Sequence, residues 1–318
     1  MDKRLNISIL PILFLTVLLS SAQQDAQYTQ YMYNTISVNP AYAGSRGVLS
    51  FMGLHRSQWV GLDGAPKTQT LTFNTPLDYS KMMGLGVSII NDKIGPSKET
   101  YFNIDFSYNI PVSREGKLSF GIKAGGHLLN VDLQELTRFN ENDIAFENSI
   151  NNKFSPNVGA GIYYHTNRFY LGLSAPNLLE TDHFDESVTT NNSTKASFLA
   201  EERINYYLIA GHVFDVSDDV KFKPAILGKL VFGTPLQVDV SANLLLYDRL
   251  TLGIAYRWDA AMSGMVGFQV SKAMMIGFAY DKETTKLGKT QFNDGSYEIM
   301  LRFELFKKDD RILTPRFF

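Results

Sequence analysis

An antiparallel, up-and-down β-barrel of the outer-membrane type, with about 14 strands, is the fold class this sequence predicts. Three observations predict it. Apolar and polar residues alternate along most of the chain, turn signals cut it into strands of about a dozen residues, and the long connections fall in every second gap. In "YFNIDFSYNI" Phe102, Ile104, Phe106 and Tyr108 share one face, and Asn103, Asp105, Ser107 and Asn109 share the other. "QVDVSANLLL" sets Val238, Val240, Ala242 and Leu244 against Gln237, Asp239, Ser241 and Asn243. "YEIMLRFEL" sets Tyr297, Ile299, Leu301, Phe303 and Leu305 against Glu298, Arg302 and Glu304. A period of two with one apolar and one charged face means a sheet wet on one side.

Taken in order, the chain opens on a secretory leader, residues 1–22. Lys3 and Arg4 form a basic start, Leu5 to Leu19 a mainly apolar core broken by Pro11, and Ser20 and Ala22 the small residues before a cut, leaving Gln23 as the mature N-terminus. Residues 23–47 follow and contain "QYMYNTISVNPAYAGSRG", which has neither helical nor strand period. Pro40 fixes its own φ and biases Asn39 towards an extended backbone. Gly44 and Gly47 permit a sharp turn into the first strand, and the tyrosines offer rigid contact area with polar tips. This segment either folds as a plug or collar against the lumen wall or first strand, with a periplasmic partner in reach, or is a plain lead-in to the barrel.

The barrel is expected over 48–306, with strands near 48–59, 67–76, 83–93, 100–111, 117–131, 155–166, 168–178, 203–215, 220–232, 236–247, 249–259, 262–271, 273–282 and 295–306. "VSREG", "HTNR", "VSDDV", "YDRL" and "SKA" read as tight turns, whereas Asp132–Phe154, Leu179–Glu202 and Lys282–Asp294 are long. Residues 307–318 form a short solvated tail. Tyr79, Tyr101, Tyr108, Tyr170, Tyr247, Tyr256, Trp258 and Tyr280 lie near strand ends, where aromatic girdles meet the lipid–water interface.

A soluble sandwich or propeller also alternates. Sandwich strands are typically five or six residues, and no repeat of blade length is found. Charges such as Asp105, Lys123, Asp239 and Arg302 stand in mid-strand beside Gly121, Gly125, Gly253 and Gly277. Small and charged residues inside, with Leu, Phe and Tyr outside, fit a lipid-facing inversion. No window after the leader approaches the ~18 apolar residues of a membrane helix. The formal net charge of −2 gives no reason to expect nucleic acid.

Chemistry is harder to find. Zero cysteines rule out thiol catalysis and thiolate metal sites. The five histidines are scattered, and "TDHFDE", with Asp182, His183, Asp185 and Glu186, reads as an acidic solvated loop rather than a cation site. No serine sits in a Gly-x-Ser-x-Gly elbow. No cofactor, metal or catalytic residue is expected, and the chain reads as a non-enzyme.

"QYMYNTISVNPAYAGSRG", then "LHRSQWVGLDGAPKTQTLTFNTPL" and "GLGVSIINDKIGP", resemble the PorP/SprF family of Bacteroidetes outer-membrane proteins. The likeness continues through "LGLSAPNLL" and "GFQVSKAMMIGFAYD" and closes with "NDGSYEIMLRFEL", where Tyr297 stands at a position that is often His. The resemblance implies a non-enzymatic barrel of the type IX secretion and gliding system. Its implied partners are a secreted adhesin or its C-terminal sorting domain, secretion components on the periplasmic side, and the lipid bilayer. The alternative is a diffusion channel or small-molecule transporter, for which Asn103, Asp105, Asp239 and Arg302 would line a wet pore. Candidate partner-binding or plug residues are Tyr31, Tyr33, Asn39, Pro40, Tyr42, Gly44, Arg56, Trp59, Gly64 and Pro66. A barrel of this size is not filled by its own side chains, so a loop, the N-terminal segment or a bound polypeptide is expected in the lumen.

Overall fold

A computed structural model of the chain describes residues 26–132, 149–182, 189–190, 193–194, 201–290 and 293–306. The expected leader, most of "TDHFDE" and the expected tail lie outside the described residues. The strands are β1 (Leu49–Ser57), β2 (Lys67–Pro76), β3 (Met83–Ile94), β4 (Ser97–Pro111), β5 (Lys117–Val131), β6 (Ile150–His165) and β7 (Phe169–Ala175). They continue as β8 (Asn205–His212, resuming at Phe214–Ser217), β9 (Val220–Val231), β10 (Gln237–Leu246), β11 (Leu250–Arg257), β12 (Ala261–Gln269), β13 (Met274–Glu283) and β14 (Ser296–Leu305). Each pairs antiparallel with its sequence neighbours, and β1 pairs with β14 from Leu49↔Leu305 to Ser57↔Tyr297. The sheet is therefore a closed 14-stranded barrel. Closure gives every strand a partner on both sides over at least part of its length, so the ring has no terminal edge strand, as a β-structure in hydrocarbon requires.

The alternation read from the sequence sorts the wall into two faces. Ile104 is 57% exposed to the surroundings and Asp105 is 0% exposed. Ser88, Asn103, Ser107, Asn243 and Glu298 likewise point inward, while Phe102, Ile122, Leu173, Ile254 and Leu301 point outward. On β5 the outward set runs from Leu118 to Leu128 and ends at Asn130, matching the roughly 9–11 residues that a tilted strand needs to cross hydrocarbon. Both barrel ends, Leu49 and Leu305, lie on one rim with the short connections 77–82, 112–116, 166–168, 218–219, 247–249 and 270–273. That rim is the periplasmic one by the usual arrangement of such barrels, and the longer connections fall on the opposite, far rim.

Several expectations need correcting. The strand expected over 168–178 stops at Ala175, because Pro176 leaves the wall and packs on the lumen side of Gly159. The strand expected over 203–215 is interrupted at Val213, whose N–H donates instead to the Arg168 carbonyl at 2.9 Å. β6 begins at Ile150, earlier than 155. Tyr101 and Tyr170 do not join a lipid-facing girdle. Tyr170 is buried in the lumen, and Tyr101 lies beside the inward-facing His127 at 5.0 Å between ring centroids. Tyr79, Tyr247 and Trp258 are exposed at the rims.

The outward and inward faces answer oppositely to charge. Ile122→Arg, at mid-height on the lipid face, is expected to cost about 2–4 kcal/mol, with the cost falling towards the rims. Reversible denaturant unfolding from lipid vesicles, compared with a charge placed at exposed Leu77 on the rim, measures the difference.

Candidate functional site

The residues before β1 lie inside the barrel. Tyr28 to Arg46 are buried almost throughout, against inward-facing residues from opposite sides of the wall. The segment enters at the periplasmic rim, where Gly44 N–H donates to Asn74 Oδ1 (2.5 Å), and runs back up the lumen. At its upper end Tyr28 bonds Thr70 (2.7 Å) and Gln27 donates to Gln237 (3.0 Å), both near the far ends of their strands. It includes one helical turn, α1 (Thr35–Val38), and a tighter turn over Pro40–Tyr42.

Local chemistry dictates that second turn. The Asn39 side chain accepts the N–H of Ala41 at 2.9 Å, capping it, and Pro40 occupies the first position, where no N–H is needed. The other end of the same amide donates to the Ile162 carbonyl of β6 (3.1 Å) and reaches the Leu173 carbonyl of β7 (3.5 Å). One asparagine thus shapes the segment and docks it.

The wall receives the segment on glycines. A Cβ on Gly161 would lie 2.2 Å from Asn39 Oδ1, one on Gly121 2.2 Å from Ala41 N, and one on Gly84 2.2 Å from the Ala43 carbonyl oxygen. Gly86 faces Ile36, Gly172 faces Asn39 and Gly277 faces Gln30 at similarly short range. Gly44 itself has φ +68° and its own would-be Cβ meets Gly84, so any side chain there is excluded twice. Around this cradle Ser107 donates to the Ala43 carbonyl (2.6 Å), Ser174 to Val38 (2.7 Å) and Lys123 to Ser37 (3.3 Å).

Ion pairs clamp both ends. Above, Arg56 of β1 pairs with Asp281 (2.6 Å) and Glu298 (3.2 Å) and donates to Thr29 Oγ1 (2.8 Å). Glu298 also accepts the backbone N–H groups of Thr29 (3.0 Å) and Gln30 (2.9 Å). Below, Arg46 pairs with Glu304, which Arg302 approaches at 3.8 Å. Burial opposes the charge on Arg46, but Glu304 and Tyr42 outweigh it and hold the guanidinium above its ordinary pKa. Burial raises the pKa values of Tyr31 and Tyr33, keeping both phenols neutral.

Each candidate residue has a definite place. Tyr31 bonds Ser241 (3.1 Å), Tyr33 lies between Lys223 and Arg302 at 5.6 and 5.4 Å from its ring, and Tyr42 packs edge-on to Tyr163 at 5.6 Å. With Asn39, Pro40, Gly44 and Arg56 they form one buried assembly. Trp59, Gly64 and Pro66 stand apart in the far-rim loop between β1 and β2. Trp59 adopts φ +46°, uncommon for a bulky residue, and is held there by Ser296 Oγ (3.1 Å) and by its indole N–H on Glu283 (3.0 Å). The Gly64 carbonyl accepts from Gly95 at 2.8 Å, and Pro66 accepts from Gln58 at 2.9 Å. Reading the sequence missed Arg46, Asp281, Glu298, Glu304 and the glycine cradle as parts of the site. For the three carboxylates the signal was present, since Asp281, Glu298 and Glu304 fall on the inward phase of β13 and β14. Among the described residues no group of three or more His, Asp or Glu is placed to hold a metal ion.

Comparison with known proteins decides the family. The profile of the type IX secretion system membrane protein PorP/SprF matches residues 20–303. The chain belongs to the PorP/SprF family. It is an outer-membrane β-barrel of the type IX secretion system, a role that involves other components of that system. No curated protein matches the chain. Among solved structures this PorP/SprF barrel is similar to the Ralstonia pickettii toluene transporter TbuX, at 9% identity over 86% of this chain and 93% of that one, with a TM-score of 0.49. It is also similar to a Pseudomonas aeruginosa FadL homologue (13% identity, 86% and 93% covered, TM-score 0.45) and to Acinetobacter baumannii Omp33 (9%, 81% and 99%, 0.46). At these values the likeness concerns the kind of fold alone.

Arg56 makes this arrangement sensitive to mutation, because it faces two buried carboxylates. Arg56→Ala is expected to cost about 3–5 kcal/mol by leaving Asp281 and Glu298 uncompensated. Denaturant midpoints in detergent, with Arg56→Lys as the partial-rescue comparison, measure it.

Proposed function

We propose that this PorP/SprF barrel is a non-enzymatic docking component that helps to secrete or anchor a cell-surface adhesin. In this reading it binds the adhesin's C-terminal sorting domain, or secretion components on the periplasmic side. The observation that carries the reading is the buried N-terminal segment, which we take to be a plug. Asn103, Asp105, Asp239 and Arg302, which would line a wet pore, instead contact Ser88, Lys123, Arg257 and Glu304 in turn, while Asp281 and Glu298 are taken up by Arg56 and the segment. Polar groups committed in this way are not available to pass solutes or to perform catalysis.

Partner contact then falls to the rims. Tyr31, Tyr33 and Tyr42 are buried, so a partner does not meet them while the segment is seated. The periplasmic turns 77–82 and 112–116, with fully exposed Tyr79 and exposed Arg114 and Glu115, offer contact area to secretion components. The far-rim loop held by Trp59 offers a rigid platform on the other side.

Two measurements test this together. Wild-type protein in planar bilayers is expected to stay closed, and deletion of Gln30–Ala43 to open large steady channels. Pull-down from detergent-solubilised outer membranes is expected to recover an adhesin sorting domain or secretion subunits. Steady large channels from the wild type would support a diffusion channel. Recovery of neither partner, with secretion unchanged in a deletion strain, would also overturn the docking role.

A further inference from the structure

The far rim carries different chemistry on its two sides. Around β9–β12 its exposed residues include Phe232, Leu236, Trp258 and Met262. On β2–β4 the outward positions at the same rim are lysines. Lys67, Lys93 and Lys98 are all exposed, each on the outward phase of its strand. The pairing sets Lys67 directly opposite Lys93, and Lys93 directly opposite Lys98. The three therefore form one row across adjacent strands.

Like charges directly opposite one another in a sheet destabilise it. Neighbouring strands lie about 4.8 Å apart, well inside the screening length of about 8 Å at physiological salt. The acids of the same strands do not relieve the row. Asp92 and Glu99 fall on the lumen phase, where Thr68 donates to Asp92 (2.6 Å) and Tyr101 donates to Glu99. None of the ion pairs among the described residues includes Lys67, Lys93 or Lys98. The row is also held in place. Lys93 and Lys98 flank the tight turn at Gly95–Pro96, and Gly95 N–H donates to the Gly64 carbonyl at 2.8 Å, bracing this hairpin on the loop that leads into Lys67.

Height on the wall says which anion meets it. On β4 the outward apolar residues run from Phe102 to Ile110, matching the roughly 9–11 residues that a tilted strand needs to cross hydrocarbon. The top of that band is the row Leu71, Ile89 and Phe102. Above it comes an uncharged polar row, Gln69, Asn91 and Thr100, in which Asn91 donates to Thr100 at 2.8 Å. The lysine row is the next one up. Lysine stems lie along such a wall while their ammonium groups stay at headgroup level. Apolar, polar and cationic rows in this order match the acyl chains, linkage region and phosphate of a lipid.

We propose that the row Lys67, Lys93 and Lys98 binds the phosphate headgroup of a lipid in the outer leaflet. The three ammonium groups donate to phosphate oxygens, Gln69, Asn91 and Thr100 meet the linkage region, and the acyl chains lie along Leu71, Ile89 and Phe102. Lysine suits a phosphate as a point charge on a flexible stem. An acidic protein segment would answer the charge but not the apolar row beneath it, which faces the bilayer.

Native mass spectrometry of the intact protein in detergent, with diphosphoryl lipid A added as a phosphorylated glycolipid, tests this. The wild type is expected to hold a lipid A adduct that excess inorganic phosphate does not displace. Combining Lys67→Gln, Lys93→Gln and Lys98→Gln is expected to reduce it roughly tenfold, as is dephosphorylating the lipid. Lys282→Gln, at an exposed lysine on β13 opposite Met262, is expected to leave it unchanged. A wild type without the adduct, an equal adduct in the triple variant or with the dephosphorylated lipid, or displacement by inorganic phosphate overturns the proposal. Should the triple variant fail to assemble, Lys93→Gln at the centre of the row decides, with a roughly threefold loss expected and an unchanged adduct overturning the proposal.

Discussion

The approach of the Asn39–Gly44 backbone to the hydrogen-only positions of the wall is the contact on which the rest of the barrel depends. A closed sheet of this strand number encloses more volume than its own inward side chains can fill. Glycine in a strand sacrifices side-chain packing and backbone entropy, so placing Gly84, Gly121 and Gly161 on the lumen face is costly unless another chain segment comes close. Here one does, at distances that leave no room for even a methyl group. The wall and the segment are thus two halves of one packing problem, and the core of this membrane protein lies inside the barrel rather than between its strands and lipid.

Electrostatics then sets how firmly the segment is held. Arg56, Asp281 and Glu298 gather at its upper end and Arg46 with Glu304 at its lower end, all buried. Burying charges is expensive, and such groups add little net stability over an apolar core. Removing one partner, however, strands the others. They therefore act as locators: the segment has one register in which every charge and both Thr29 and Gln30 N–H groups are met. In the docking reading proposed above, a lumen occupied in this way leaves partner contact to the rims.

The sequence made the strands legible because one-sided burial imposes a period of two, which Phe102–Asn109 shows without interruption and Tyr297–Leu305 with one break at Met300. Asn39, Pro40 and Gly44 stood out for their backbone preferences, and the structure puts all three at the tightest contacts. Periodicity reports a face and says little about depth or partners. For that reason Tyr101 and Tyr170 were read as girdle residues although their phase is inward. The strand through Leu171–Leu178 was read too long because its apolar pattern continues while Pro176 turns the chain inward. The helical turn Thr35–Val38 is too short to show a period at all. The pairing of Glu298 with residues 242–269 positions away follows from barrel closure, and no local pattern encodes it.

The central claim is that residues 30–43 belong to the folded core of the barrel. Hydrogen–deuterium exchange of the intact protein in lipid, read by mass spectrometry on peptides from this stretch, tests it most directly. The account predicts protection as slow as that of β4 and β14, because the segment's buried amides can exchange only when the barrel opens. Exchange as fast as that of the exposed rim turns, with the strands still protected, would contradict it.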